Sequence, residues 1–199
     1  MNKKLYKNLI NMLLVPTLIF GGLSACSSKK VPNVTDGAKP YATNDARPFK
    51  AKEEADNAQW EKTADAIIAE GVRYMGVPYV YGAERFNDKA FDCSSYVQYL
   101  YAKQGIHLGY NAREQAAQGQ DVPFINLRKG DIMFFSDEDF PNETGLNKVR
   151  HVGIYMGDGH ILHTYEEGTG VIISNIHKDK KEGEYWYQNY LFAKRLIPG

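Results

Sequence analysis

HVGIYMGDGHILHT, residues 151 to 164, alternates its side chains on either side of a Gly-Asp-Gly turn. A period of two on both flanks predicts an antiparallel β-hairpin. The length of the turn decides what the hairpin can do. A two-residue Asp158-Gly159 turn would pair Gly157 with His160 and put His151 and His163 on opposite faces. A three-residue loop, Gly157 to Gly159, pairs Met156 with His160 and sets Gly153 opposite His163. His151 is then the diagonal neighbour of His163 on the same face, roughly 7–8 Å away. Such loops want glycine in the left-handed conformation at their third position, and Gly159 stands there. We therefore expect the three-residue loop, with His151 and His163 together and His160 turned away.

The same period continues in DIMFF (131–135), VIISN (171–175) and YLFAKRL (190–196), which read as further strands. Upstream the period is helical. Trp60, Ala64, Ile67, Ile68, Gly71, Val72 and Met75 recur at helical spacing, and Gly76 and Pro78 end that run. VPYVYG reads as a short extended piece and residues 82–91 as a polar loop. A second helix is expected from about Asp92 to Gln104, and a third, shorter one near Ala112 to Gln118. Helices first and strands second predict an α+β fold, with N-terminal helices packed on a central antiparallel sheet. No internal repeat is visible.

The chain has 199 residues, 43% of them hydrophobic and 13% aromatic, which suits one domain and a tail. With Lys3, Lys4 and Lys7 set aside, 21 basic residues face 24 acidic ones. Nothing in that balance points to nucleic acid, which calls for a basic face, and no nucleic-acid partner is expected. The run HKDKKEG (177–183) carries its own acids and reads as a solvated loop.

The N-terminus reads as an address. A basic MNKKLYKN precedes about fifteen apolar residues, too few for a membrane span of about 20. Leu23-Ser24-Ala25-Cys26 resembles the lipobox of bacterial lipoproteins, in which the cysteine is lipidated and becomes the new N-terminus. The expected organisation is a signal peptide over 1–25, a flexible linker over 26–57 from a lipidated Cys26, and a catalytic domain over 58–199. The linker is polar and carries Pro32, Pro40 and Pro48.

Lipidation of Cys26 leaves Cys93 as a lone thiol in an exported protein, which marks it as reactive. Cys93 stands at the expected start of a helix, after Asp92, a good N-cap. The field at a helix start favours an anion, so the thiol is expected to be acidified. His151 supplies a base and His163 a group to orient it. A Cys-His-His set also has the chemistry of zinc ligands, but the spacing matches no compact zinc motif, and no metal or cofactor is expected. His107 and His177 read as loop or surface residues.

These stretches together resemble the NlpC/p60 family of bacterial cell-wall cysteine peptidases. GVPYVYG resembles the segment before the nucleophile, FDCSS the nucleophile motif, LRKGDIMFF the following strand, and RHVGIYMGDGHILHT the two-histidine hairpin. The resemblance runs from about Trp60 to Ile197 and implies a papain-like α+β domain. It implies Cys93 as nucleophile, His151 as general base and His163 as the orienting residue, with Tyr79, Asp92 and Ser94 lining the substrate site. The implied reaction is cleavage of peptidoglycan stem peptides between γ-D-glutamate and diaminopimelate or lysine, through a thioester. The implied protein is a monomer, held at the membrane by lipid on Cys26 and facing the cell wall. Another amidase or acyltransferase on the same fold, or a non-catalytic peptidoglycan-binding lipoprotein, is the alternative. The chain departs from the family pattern at Ser95, where glycine is usual, and at Gly82-Ala83, where two glycines are usual. The loops 84–90 and 139–149 look longer than typical.

Overall fold

The computed structural model describes residues 46–199; the expected signal peptide, Cys26 and the linker as far as residue 45 lie outside the described residues. In chain order the elements are α1 (Ala46–Val72), α2 (Cys93–Ala102), α3 (Ala112–Ala116), β1 (Gln120–Val122) and β2 (Ile132–Phe135). There follow β3 (His151–Gly157), β4 (His160–Thr164), β5 (Val171–Asn175), α4 (Lys181–Asn189) and β6 (Tyr190–Arg195). The strands form one antiparallel sheet in the order β1-β6-β2-β3-β4-β5. The fold is α+β, as expected.

Helix α1 starts earlier than the apolar pattern suggests. Residues 46–57 were expected in the linker, but their backbone is helical. The stretch is rich in Ala, Lys and Glu, all strong helix formers, and Pro48 falls in the first turn, where a missing N–H costs nothing. Contact with the core begins only at Trp60, and Ala64 and Ile67 are fully buried. Gly71 lets α1 approach closely: a Cβ there would lie 2.6 Å from Leu162 and 2.7 Å from the Tyr96 hydroxyl. The helix ends at Val72, so Met75 falls beyond it and is exposed.

The two faces of the sheet carry different cores. Ile132, Phe134, Val152, Ile154 and Leu162 face α1 and α2, where they meet Ile67, Val97 and Leu100. Met133, Phe135, Ile161 and Ala193 face the other way and pack with Trp186 of α4. Burying each such side chain contributes about 1.5–3 kcal/mol. Helix α4 was not expected, and it takes up the end of the HKDKKEG run, which was read as loop. Its charged residues conceal the three aromatics at 185–187, of which Trp186 is buried and Tyr187 exposed.

The hairpin corrects the expected loop. Gly157 pairs with His160, so the turn is the two-residue Asp158-Gly159. Asp158 (φ 49) and Gly159 (φ 68) both adopt the left-handed conformation of a type I′ turn. The register then shifts between Tyr155 and Gly157, and Tyr155 pairs with Ile161 and Ile154 with Leu162. That bulge inserts one residue, which flips the facing of everything beyond it. Gly153 consequently lies beside His163: a Cβ at Gly153 would sit 3.1 Å from the His163 Cβ. The histidines share a face, as expected, although a bulge rather than a longer loop puts them there.

Candidate active site

Cys93 is the first residue of α2, and a reciprocal capping box holds that helix start. The Asp92 carboxylate accepts from the Ser95 N–H at 2.7 Å, and the Ser95 hydroxyl accepts from the Asp92 N–H at 2.9 Å. Two N–H groups that a helix start leaves without partners are thereby satisfied. Ser95, a departure from the family pattern, closes this box from a fully buried position. Ser94 donates to the Asp92 carboxylate at 2.9 Å, and Arg85 reaches in from the 82–91 loop to bond Asp92 at 3.0 Å and Ser94 at 3.2 Å. The Arg85 guanidinium lies 4.1 Å from the centre of the Tyr110 ring. The buried Asp92 carboxylate beside the nucleophile is thus paired with an arginine, the arrangement a buried ion requires.

The histidines are set by strand geometry and aromatic packing. His151 Nε2 and His163 Nδ1 are 2.8 Å apart, and His163 Nε2 is 2.8 Å from the Ser174 hydroxyl on β5. Trp186 packs edge-on to His163, ring centroids 4.6 Å apart, and tilts against His151 at 5.1 Å. Tyr165 stands 5.5 Å from His151. This dry setting disfavours the charged imidazole. Burial pushes His151 down to about 3, and burial followed by the neighbouring His151 pushes His163 well below its ordinary value. Both rings are neutral near pH 7. With Ser174 accepting from His163 Nε2–H, His163 Nδ1 accepts from His151 Nε2–H. The nitrogen left with a free lone pair is His151 Nδ1.

Cys93 corrects a second expectation. Its residue keeps some exposure, but burial of the thiol pushes its pKa up to about 12 rather than down. The Asp92 charge adds to the rise, and the N–H groups of Val152 and Ser94 and the Arg85 charge only partly oppose it. The field of a ten-residue helix is outweighed by desolvation and an adjacent carboxylate. The resting site therefore holds a thiol and a neutral imidazole.

Cys93, His151, Tyr79, Asp92 and Ser94 all line one cleft of about 570 Å³. His163 stands behind His151 as its partner. The Tyr79 phenol is raised to about 12, first by burial and then by Cys93 and Asp92, so it stays a hydroxyl donor at the nucleophile. His107, His160 and His177 are not among the residues lining this cleft. Sequence reasoning missed Arg85, Arg113, Arg150 and Trp186, which complete its walls, and Ser174 behind it. Arg85 stood in a stretch read as loop, Arg113 in the expected third helix and Ser174 in an expected strand, where nothing in the residue pattern set them apart.

A cysteine at a helix start, faced by a neutral histidine whose tautomer is set from behind, is an arrangement suited to acyl transfer. The chain belongs to the NlpC/P60 family, whose sequence profile matches residues 76–195. It is 34% identical over 142 residues to the gamma-DL-glutamyl hydrolase of Bacillus subtilis, covering 71% of this chain and 32% of that one. It is 33% identical over 132 residues to the murein DD-endopeptidase MepS/murein LD-carboxypeptidase of Escherichia coli, covering 66% and 62%. Among solved structures, an NlpC/P60 family protein from Bacillus cereus superposes with a TM-score of 0.57 at 28% identity, covering 68% of this chain and 40% of that one. The chain thus spans about a third of the length of the first relative and under two thirds of the second.

Proposed function

We propose that this protein is a cell-wall cysteine endopeptidase that cuts peptidoglycan stem peptides between γ-D-glutamate and the following diamino acid. The observation that carries the proposal is the convergence on one cleft of Cys93 and a His151 whose Nε2 is held 2.8 Å from His163. The gamma-glutamyl chemistry in the name of the Bacillus relative supports the choice of bond.

His151 Nδ1 takes the thiol proton as Cys93 Sγ attacks the γ-carbonyl carbon. Because both groups rest neutral, proton transfer accompanies attack instead of preceding it. Negative charge develops on the carbonyl oxygen, where backbone N–H groups at the start of α2 and the Tyr79 hydroxyl can receive it. The tetrahedral intermediate collapses to a thioester as His151 returns the proton to the leaving amine. Water, deprotonated by His151, then hydrolyses the thioester. His163 fixes the His151 tautomer throughout. Asp92 and Ser94 contribute the polar wall of the substrate site.

Digestion of purified sacculi with diaminopimelate and with lysine stems, followed by mass spectrometry, tests this reading. Products ending in D-glutamate, with a new free amine on the diamino acid, are expected. Release at the D-alanyl cross-link instead would assign the DD-specificity named for the Escherichia relative. Cys93→Ala should lose at least about 10³-fold in rate while keeping its fold. Lipid on Cys26 belongs to the same proposal: labelled palmitate should enter the wild type and be absent from Cys26→Ser.

A further inference from the structure

Three arginines line the cleft, Arg85, Arg113 and Arg150, and the Nε–H of each is buried without a partner. Seven buried side-chain polar atoms among the described residues lack a partner, and three of them belong to arginines that line this one cleft. Buried donors are nearly always satisfied, so such a concentration of exceptions needs an account. Two of the arginines are otherwise committed. Arg85 bonds Asp92 and Ser94, and Arg150 pairs with Glu143 at 3.0 Å and covers the Phe140 ring at 3.7 Å. Arg113 differs: no hydrogen bond, ion pair or ring contact engages its guanidinium among the described residues.

Its position is nevertheless fixed. Asn111 accepts from the N–H groups of Arg113 and Glu114, each at 3.0 Å, and so starts α3. Two residues on, the fully buried Gln115 donates to the Ser94 carbonyl at 2.9 Å. Helix α3 is thereby tied to the residue after the nucleophile, and Arg113 faces the same cleft. The outer edge of its guanidinium, one N–H from each Nη, matches a carboxylate through two parallel hydrogen bonds.

We propose that Arg113 is a specificity-determining residue that binds a free carboxylate of the stem peptide. This rests on the endopeptidase reading for the identity of the ligand. A γ-linked glutamate leaves its α-carboxylate free, and diaminopimelate carries one carboxylate more than lysine. Either group offers the required chemistry. Amidation of the glutamate α-carboxylate, or replacement of diaminopimelate by lysine, removes one of them at a time.

The test uses the tripeptide L-alanyl-γ-D-glutamyl-diaminopimelate, its lysine counterpart, and both again with D-isoglutamine in place of D-glutamate. Binding of all four to Cys93→Ala is measured by calorimetry, with and without Arg113→Gln, and equal thermal melts confirm the fold of each variant. Cys93→Ala should bind the carboxylate form at least tenfold tighter within one of the two pairs. Adding Arg113→Gln should abolish that preference and leave affinity for the uncharged form within twofold. Arg113→Lys, a point charge without the fork, should restore only part of it. Loss confined to the glutamate and isoglutamine pair assigns the α-carboxylate; loss confined to the diaminopimelate and lysine pair assigns the diamino acid. An unchanged preference in Arg113→Gln, or no binding of any peptide, overturns the proposal. Binding that depends on Arg113, with no cleavage by the wild type, counts against the endopeptidase reading alone.

Discussion

The two halves of the site are held by opposite means. Around Cys93 the backbone and side chains are locked by hydrogen bonds and an ion pair: Asp92, Ser95, Ser94 and Arg85. Around His151 and His163 the restraint is aromatic, with Trp186 against both rings. The polar half is built from residues within ten positions of the nucleophile. The aromatic half needs α4, more than twenty residues beyond His163 at Trp186, to fold back over the sheet. A short-range network survives many changes elsewhere, whereas a packed aromatic wall fails as a unit when its centre is removed.

The largest expected effect follows from that contrast. Trp186→Ala should destabilise the domain by about 3–5 kcal/mol in urea unfolding, the range for deleting a buried aromatic. Opening the wall should also raise the His151 pKa toward its ordinary value, visible in the imidazole resonances. A pKa unchanged in this variant would show that Trp186 does not keep the histidines dry.

Acid should expose the histidine half next. Folded His151 and His163 titrate below the unfolded value near 6.5. Their contribution is therefore complete above pH 6.5 and is lost as pH falls through that value toward about 3, because the unfolded chain takes up protons that the folded chain refuses. Urea midpoints should decline between pH 6.5 and about 4.5, before carboxylates begin to protonate. His151→Gln with His163→Gln should flatten that window. The raised Cys93 pKa belongs to the same contrast. Alkylation by iodoacetamide at pH 7 should be slower than for free cysteine, and a fast plateau there would restore a preformed thiolate.

The polar half should respond more mildly. Ser95→Ala removes one arm of the capping box and should cost about 1 kcal/mol by urea unfolding. On the histidine side, Ser174→Ala should be smaller still in stability. It should instead lower kcat less than tenfold and shift the acid limb of the pH–rate profile, because the His163 tautomer loses its anchor. A pH profile unchanged in that variant would reduce Ser174 to packing.

Much of this was legible in particular residues. Asp92 before Cys93 announced a helix start, and the structure adds that Ser95 completes it. The serine that departs from the family pattern has a local reason: it accepts the N–H that glycine would leave bare. The alternation through 151–164 placed both histidines on strands, but their shared face came from a bulge at Met156 that no spacing rule foretold. Helix α4 was hidden because Lys181, Glu182 and Glu184 continue the charged run before it, and its one buried face turns on a single tryptophan. Arg85 and Arg113 came from a loop and a five-residue helix, where periodicity carries no information.

By itself the sequence determined what depends on near neighbours: the helix start at Cys93, five of the six strands, the α+β order and the glycine-closed hairpin, while the short β1 (Gln120–Val122) gave no signal. These follow from local sterics, capping and side-chain period, which act within a few residues. Only the tertiary structure decided the chemistry of the site. Desolvation and long-range charge turned an expected acidic thiol into a neutral one, and packing from α4 kept both imidazoles uncharged. The same packing of distant segments left Arg113 facing the cleft without a partner, because burial and the position of a charge are properties of the whole fold.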